Sequence, residues 1–210
     1  MNTLHLKTDD LNIMARVYRA NLINSISGYK PAMLIGTKNA DGMLNLAIFS
    51  SIVHLGADPA LIGFIQRPVG VSGDTFRNIM ETKQYTINHV HKEIVEKSHY
   101  TSAKTETSEF DLCKLTPEFI DHFSAPFVAE CKVKMGLEFV EAIPIKHNNT
   151  TLVIGQLKHL ILPKDLVAED GNVLLAAAET VCISGLENYH QVQPLATFPY
   201  AKLENIPAFS

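Results

Sequence analysis

The sequence predicts a mainly β protein, an antiparallel sheet closed or nearly closed into a barrel, with helices at the ends and in the middle of the chain. Three observations carry this. Apolar runs of strand length recur at 32–37, 43–55, 60–66, 85–90, 127–145 and 151–162. Several are separated by tight turns that suit hairpins rather than crossovers. A flat sheet this apolar would also expose strand edges that closure hides.

Residues 9–25 place Leu11, Met14, Ala15, Tyr18 and Leu22 at intervals of three and four, with Ile26 following, a helix or pair of helical turns that Asp9 or Asp10 could cap. Ala32 to Thr37 is the first strand, and Asp41-Gly42 turns it into a second from Met43 to Leu55. Gly56 to Pro59 then leads to Ala60–Gln66. Asp74 is placed to cap a helix over Thr75–Thr82 that buries Phe76, Ile79 and Met80. In the next strand, alternation puts Tyr85, Ile87 and His89 on one face and Thr86, Asn88 and Val90 on the other. The polar stretch 92–124 reads as an excursion: a helix over 93–103, a loop, and a helical turn after Pro117. A long strand over 127–145 follows, with Gly136 a bend or bulge, then a turn at 147–150 and a strand over 151–162. Pro194, Pro199 and Pro207 make the tail over 190–210 extended.

The chain has 210 residues, 46% hydrophobic and 19% charged, a globular composition expected to form one domain. Such a length buries roughly 70% of its extended-chain surface, enough for a core without disulfides. Cys113, Cys131 and Cys182 lack paired metal-binding spacing and read as small buried hydrophobes. With 18 basic and 22 acidic residues there is no basic block, which argues against nucleic acid as a partner. No secretory signal and no apolar stretch of membrane-spanning length stands out, so no membrane partner and a cytoplasmic location are expected.

Chemistry is most legible between residues 45 and 75. Adjacent Ser50 and Ser51 within an apolar strand need partners for two hydroxyls, supplied either by nearby backbone or by a bound anion. Only four arginines occur, Arg16, Arg19, Arg67 and Arg77, and Arg67 directly follows a strand. Pro68 to Gly73 opens onto the helix at Asp74, where Ser72, Thr75, two glycines and free helix N–H groups can cradle a phosphate. Neither a dinucleotide fingerprint nor a P-loop is present, so an ordinary loop and capped helix is the competing reading. His89 and His91 share a face but lack a third ligand, and no metal is expected.

The order Pro31, the strand to Thr37, Asp41-Gly42, Asn45-Leu46-Ala47, Ser50-Ser51, Asp58-Pro59, Arg67-Pro68, Asp74-Thr75, Asn78-Ile79 and Asn88 resembles the flavin reductase-like family with an FMN-binding split barrel. The resemblance implies a Greek-key split barrel, a homodimer, and one FMN per subunit near the subunit interface. Carried over by position, Asn45, Ala47 and Ile48 would line the flavin ring. Ser50 and Ser51 would hold the ribityl chain and phosphate, Arg67 would anchor the phosphate, and Ser72, Asp74 and Thr75 would complete the cradle. Two positions depart from the family pattern: Gly73 stands where a lysine is common, and Ser184 to Tyr189 keeps the tyrosine of a late Arg-Leu-Gly-Gly stretch without its arginine. The 92–124 segment reads as an insertion that covers the flavin and selects the substrate.

What the resemblance implies is hydride transfer from NADH or NADPH to bound FMN and on to free flavin or another small acceptor. The cofactor carries the chemistry, so no catalytic side chain is expected. The alternatives are an FMN enzyme acting on an organic substrate and an FMN-binding electron carrier without nicotinamide turnover.

Overall fold

Residues 3–68 and 73–208 are described by a computed structural model. The chain opens with helices α1 (Thr8–Ile13) and α2 (Arg16–Ile26), then a short strand β1 (Lys30–Pro31). Strands β2 (Met33–Lys38), β3 (Leu44–Phe49), β4 (Ile52–Ala57) and β5 (Ala60–Gln66) precede helix α3 (Asp74–Thr82) and strand β6 (Gln84–His89). Helices α4 (Val95–Tyr100) and α5 (Glu109–Cys113) lead to the hairpin β7 (Pro117–Ile120) and β8 (Phe123–Val128). Long strands β9 (Lys134–Ile145) and β10 (Thr150–Ile161) and the short pair β11 (Val181–Ser184) and β12 (Asn188–Gln191) follow.

Seven strands form one antiparallel sheet in the order β3-β2-β6-β9-β10-β5-β4. Its two edge strands, β3 and β4, are consecutive in the chain and joined only by Ser50-Ser51. A flat sheet would hold them roughly 29 Å apart, from six strand spacings of about 4.8 Å. Three peptide units span at most about 11 Å. The sheet therefore curls until its edges meet at this link. Among the described residues no ladder joins β3 to β4, so the curled sheet stays open along that seam.

Strand β2 is buried on both sides, which explains its unbroken apolar run. Met33 and Ile35 pack with Phe64, Ile79, Tyr85, Ile87, Leu137 and Val153. Ala32 and Leu34 pack with Leu46, Val90, Ile94, Phe110, Leu115 and Val128. Tyr85 and Ile87 thus join one cluster and Val90 the other, matching the alternation read from the sequence. The amphipathic α3 supplies Ile79, with Phe76 and Met80 beside it.

The polar residues of β6 are satisfied by β8 and β2. Thr86 Oγ1 donates to the Pro126 carbonyl at 2.6 Å, and Asn88 Nδ2 donates to the Leu34 carbonyl at 3.1 Å. Asn88 Oδ1 accepts from the Val128 N–H at 3.1 Å. Gly36 has to be glycine here, because a Cβ would run into the Pro126 carbonyl and Thr86 Oγ1.

Several elements differ from expectation. The strand over 43–55 is cut at Ser50-Ser51, where the edge strands turn apart. Residues after Pro117 form β7 rather than a helical turn, since proline suits the first position of an edge strand as well as a helix start. The strand over 127–145 is two strands in different sheets, separated by a turn closed by Cys131 N–H donating to the Val128 carbonyl. Neither Asp9 nor Asp10 caps the first helix: Lys7 is the cap residue, and Asp10 accepts its N–H at 2.8 Å. Gly73 rather than Asp74 is the cap position of α3, and Asp74 pairs with Arg77 instead. The helix over 93–103 is a 3₁₀ turn at Lys92–Ile94 followed by α4, and α5, capped by Ser108, fills part of the expected loop. At Gly136 the register shift falls on the neighbouring strand between Leu157 and His159, and Phe127, Phe123 and His159 crowd the position a side chain would need. After β12 the described part of the tail carries no regular element apart from one turn at Leu203–Asn205.

His89, at the end of β6, has a buried and unpartnered Nδ1, and burial lowers its pKa from 6.5 to about 4. The unfolded chain therefore binds a proton that the folded chain refuses between these values. Stability held in full above pH 6.5 should fall by about 2–3 kcal/mol as pH drops from 6.5 to 4. Urea titrations across that window are expected to show this slope and its loss in His89→Gln.

Candidate functional site

The break between β3 and β4 opens a cleft of about 460 Å³. Ala47, Ile48, Ser50 and Ser51 form one wall, and Ile65 and Arg67 at the end of β5 form the base. His99 and Ser102, in and just after α4, with Ile183, Leu186 and Tyr189 around the β11–β12 turn, stand on the other side. The link itself is held to β5 by the Ile65 N–H donating to the Ser51 carbonyl at 2.9 Å.

Five residues singled out from the sequence, Ala47, Ile48, Ser50, Ser51 and Arg67, therefore meet in one cleft. Among the described residues neither serine hydroxyl is engaged by the protein, and Arg67 has no acidic partner within ion-pair distance. Lys30 stands near enough for the Arg67 charge to matter. Its pKa is lowered, first by burial and then by that guanidinium. Lys30 Nζ donates to the carbonyls of Asn24 at 2.7 Å and Gly185 at 3.1 Å. Glu187 also lines the cleft, but among the described residues it forms no ion pair with Arg67 or Lys30, so the two cations keep their charge available to a phosphate.

The other nominated residues lie elsewhere. Asn45, at the far end of β3, donates through Nδ2 to Thr37 Oγ1 at 3.1 Å and Thr75 Oγ1 at 3.0 Å. Thr75 is buried, and Asn78 donates to the same Thr37 hydroxyl at 3.1 Å. These bonds fasten α3 to β2 and β3. Asn45 and Asp74 line a second cleft, rich in acidic groups, with Arg77, Glu81, Glu106 and Glu109. Glu109 accepts the Leu46 N–H at 2.9 Å, and burial raises its pKa. Ser72 lies outside the described residues.

The sequence reading missed the far wall. His99 Nδ1 and Tyr189 Oη are 3.1 Å apart with their rings edge to face, and burial raises the Tyr189 pKa. Tyr189 belongs to the stretch already noted at 184–189, but His99 and Ser102 sit in a polar segment whose local pattern carries no sign of what it faces. His54 is exposed on β4, and His91 Nε2 lies 3.0 Å from the Glu130 carbonyl.

A mainly β scaffold with peripheral helices and a cleft at a strand break defines a recognisable class. Residues 29–184 match the flavin reductase like domain, and the chain belongs to that family. It is similar to a provisionally assigned flavin reductase with a split barrel domain from Shewanella frigidimarina NCIMB 400. The two are 43% identical, with a TM-score of 0.92 over 95% of this chain and all of the other. Nitrilotriacetate monooxygenase component B from Bacillus cereus shares the fold at 22% identity, with a TM-score of 0.81 over 94% of this chain and all of that one. An uncharacterized protein of Aquifex aeolicus (strain VF5) is 30% identical over 120 residues, 55% of this chain and 61% of that relative's length. Among the described residues no helix is long and apolar enough to cross a membrane.

The Asn45 geometry has a measurable consequence. Asn45→Ala removes both side-chain bonds and strips Thr75 of a donor, so the folded state should lose about 1–3 kcal/mol. Urea denaturation reads this loss directly.

Proposed function

We propose that the cleft beside Ser50-Ser51 binds FMN, and that the protein passes hydride from NADH or NADPH through that flavin to free flavin or another small acceptor. The observation that carries this reading is the meeting of Ser50, Ser51 and Arg67 in one opening, with Lys30 close by. Its volume falls in the range of cofactor pockets. The donors suit a phosphate: two hydroxyls that no described residue engages and a planar guanidinium. Family membership supports the same assignment. FMN supplies the electron-carrying ring. The chain's own part is to anchor the phosphate, lay the β3 backbone at Ala47 and Ile48 along the ring, and wall off water with Leu186 and Tyr189. The reading includes a Greek-key split barrel, a homodimer and a cytoplasmic setting.

A second reading keeps FMN and gives the 92–124 segment a substrate-selecting role. It is favoured by one observation, the presence of His99 and Ser102 on the cleft wall.

Purified protein should be yellow or take up added FMN, and the flavin should bleach when NADH or NADPH is added without oxygen. Failure to bind FMN overturns the proposal, while colour without bleaching leaves a carrier. Arg67→Ala should weaken FMN by about 10- to 150-fold, the equivalent of one charge-assisted contact of about 1.5–3 kcal/mol. Fluorescence titration measures it, and an unchanged affinity removes Arg67 from the phosphate site.

A further inference from the structure

Exposed apolar side chains occur across the molecule, Val53, Leu55, Val140, Ile143 and Leu160 on the sheet among them, and two groups stand at the ends of the chain. The stretch 192–208 holds Leu195 at 100%, Phe198 at 83%, Tyr200 at 86% and Leu203 at 92% exposure, with Ile206 also exposed. At the other end of the chain, α1 and α2 bury no residue at all, and Ile13, Val17, Tyr18 and Ile26 face outward. Helices of 6 and 11 residues are marginal in water unless one face is covered. An arm of this kind likewise gains nothing to offset its ordering while its large side chains stay wet.

These nine side chains, at roughly 100 Å² of apolar surface each, amount to about 900 Å². One side of a stable interface contributes about 800 Å², the scale the two groups reach together when each copy supplies both. Twelve residues from Leu195 to Ile206 reach at most about 43 Å in extended form. That is long enough to leave one body and lie across another.

A receiving groove is also present. Between Tyr18, Leu22 and Ser25 of α2 and the turn Gly185–Asn188 lies a cleft of about 370 Å³, lined by polar and apolar groups together. Its size suits one or two aromatic side chains that carry a polar tip. Leu186 and Glu187 line this groove and the cofactor cleft alike, so whatever fills the groove also buttresses the mouth of the other.

We propose that the 192–208 arm of one copy lies across α1 and α2 of a second copy, seating Phe198 or Tyr200 in the groove beside Gly185–Asn188. The exchange is reciprocal, each copy giving an arm and receiving one, as a two-fold dimer requires. It deepens the homodimer in the functional reading by naming the contact, and it rests on that dimer alone. Flavin binding is not needed for it.

The test uses the full-length protein and two variants, Phe198→Asp combined with Leu203→Asp on the arm, and Tyr18→Asp on the groove. Sedimentation at micromolar concentration should show a wild-type dimer. Its dissociation constant should rise about thirtyfold or more in either variant, the scale of losing a buried aromatic anchor. Hydrogen exchange should show residues 16–26 protected in the wild type and exposed in the arm variant, with the β2 and β6 core unchanged in both. A wild-type monomer overturns both the arm and the dimer. A wild-type dimer that the variants leave intact overturns the arm alone, as does a weakened dimer whose α2 protection is unaltered. FMN affinity, titrated on the same samples, decides the flavin reading separately.

Discussion

Two residues joining the edges of a seven-stranded sheet constrain everything else in this molecule. Because Ser50-Ser51 cannot span a flat sheet, the sheet curls; because β3 and β4 diverge from the link, their backbones do not pair. Polar groups at the seam thus lie outside the ladders that hold the rest of the sheet. The β4–β5 hairpin, with Ile52 opposite Phe64, brings the end of β5, and with it Arg67, beside the link. The cleft is a product of sheet geometry rather than of a dedicated loop, and for that reason its walls are preorganised.

Much of this was legible in the sequence, for identifiable reasons. Strand periodicity separated the faces of β6 correctly because a core lies on each side of it, and the Asp41-Gly42 and Asp58-Pro59 turns are local chemistry that needs no tertiary context. Ser50-Ser51 attracted attention as an oddity in an apolar run, and the structure gives its meaning: the run is two strands. What could not be read depends on distant partners. Pro117 is compatible with a helix start or a strand start, and only pairing with β8 decides. By their order in the chain, Asn45 is expected at the flavin ring and Thr75 in the phosphate cradle, yet the two bond to each other and neither lines the cleft at Ser50-Ser51. About 17 Å of strand separates Asn45 from Ser50, so closeness in sequence does not bring them to the same cleft.

Charge is distributed to suit this division. The chain is net acidic at −4, and acidic groups crowd the second cleft around Asp74, Glu81, Glu106 and Glu109. Lys30 and Arg67 stand at the other end of β3, where burial first and the Arg67 charge second lower the Lys30 pKa. An exposed arginine alone holds a phosphate weakly in salt, because water and ions screen it. Fixed hydroxyls and backbone beside it change that balance, since their ordering cost is met when the sheet folds rather than when a ligand arrives.

The 92–124 segment couples stability to whatever the cleft accepts. Ile94, Phe110, Cys113 and Leu115 cover the outer face of β2 and β3, completing a core cluster that the sheet alone would leave exposed. His99 and Ser102, only a few residues away, form part of the cleft wall. One excursion therefore closes a core and shapes a site, so a deletion that removes the wall also uncovers Leu34 and Leu46. Variation is cheap only at positions of the second kind. His99 touches Tyr189 through a single hydrogen bond at the cleft edge, whereas Ile94 and Phe110 are packed on all sides. Differences in selectivity among proteins with this architecture are expected to collect at His99 and Ser102 and to spare Ile94, Phe110 and Leu115, because only the former can change without a cavity penalty of several kcal/mol.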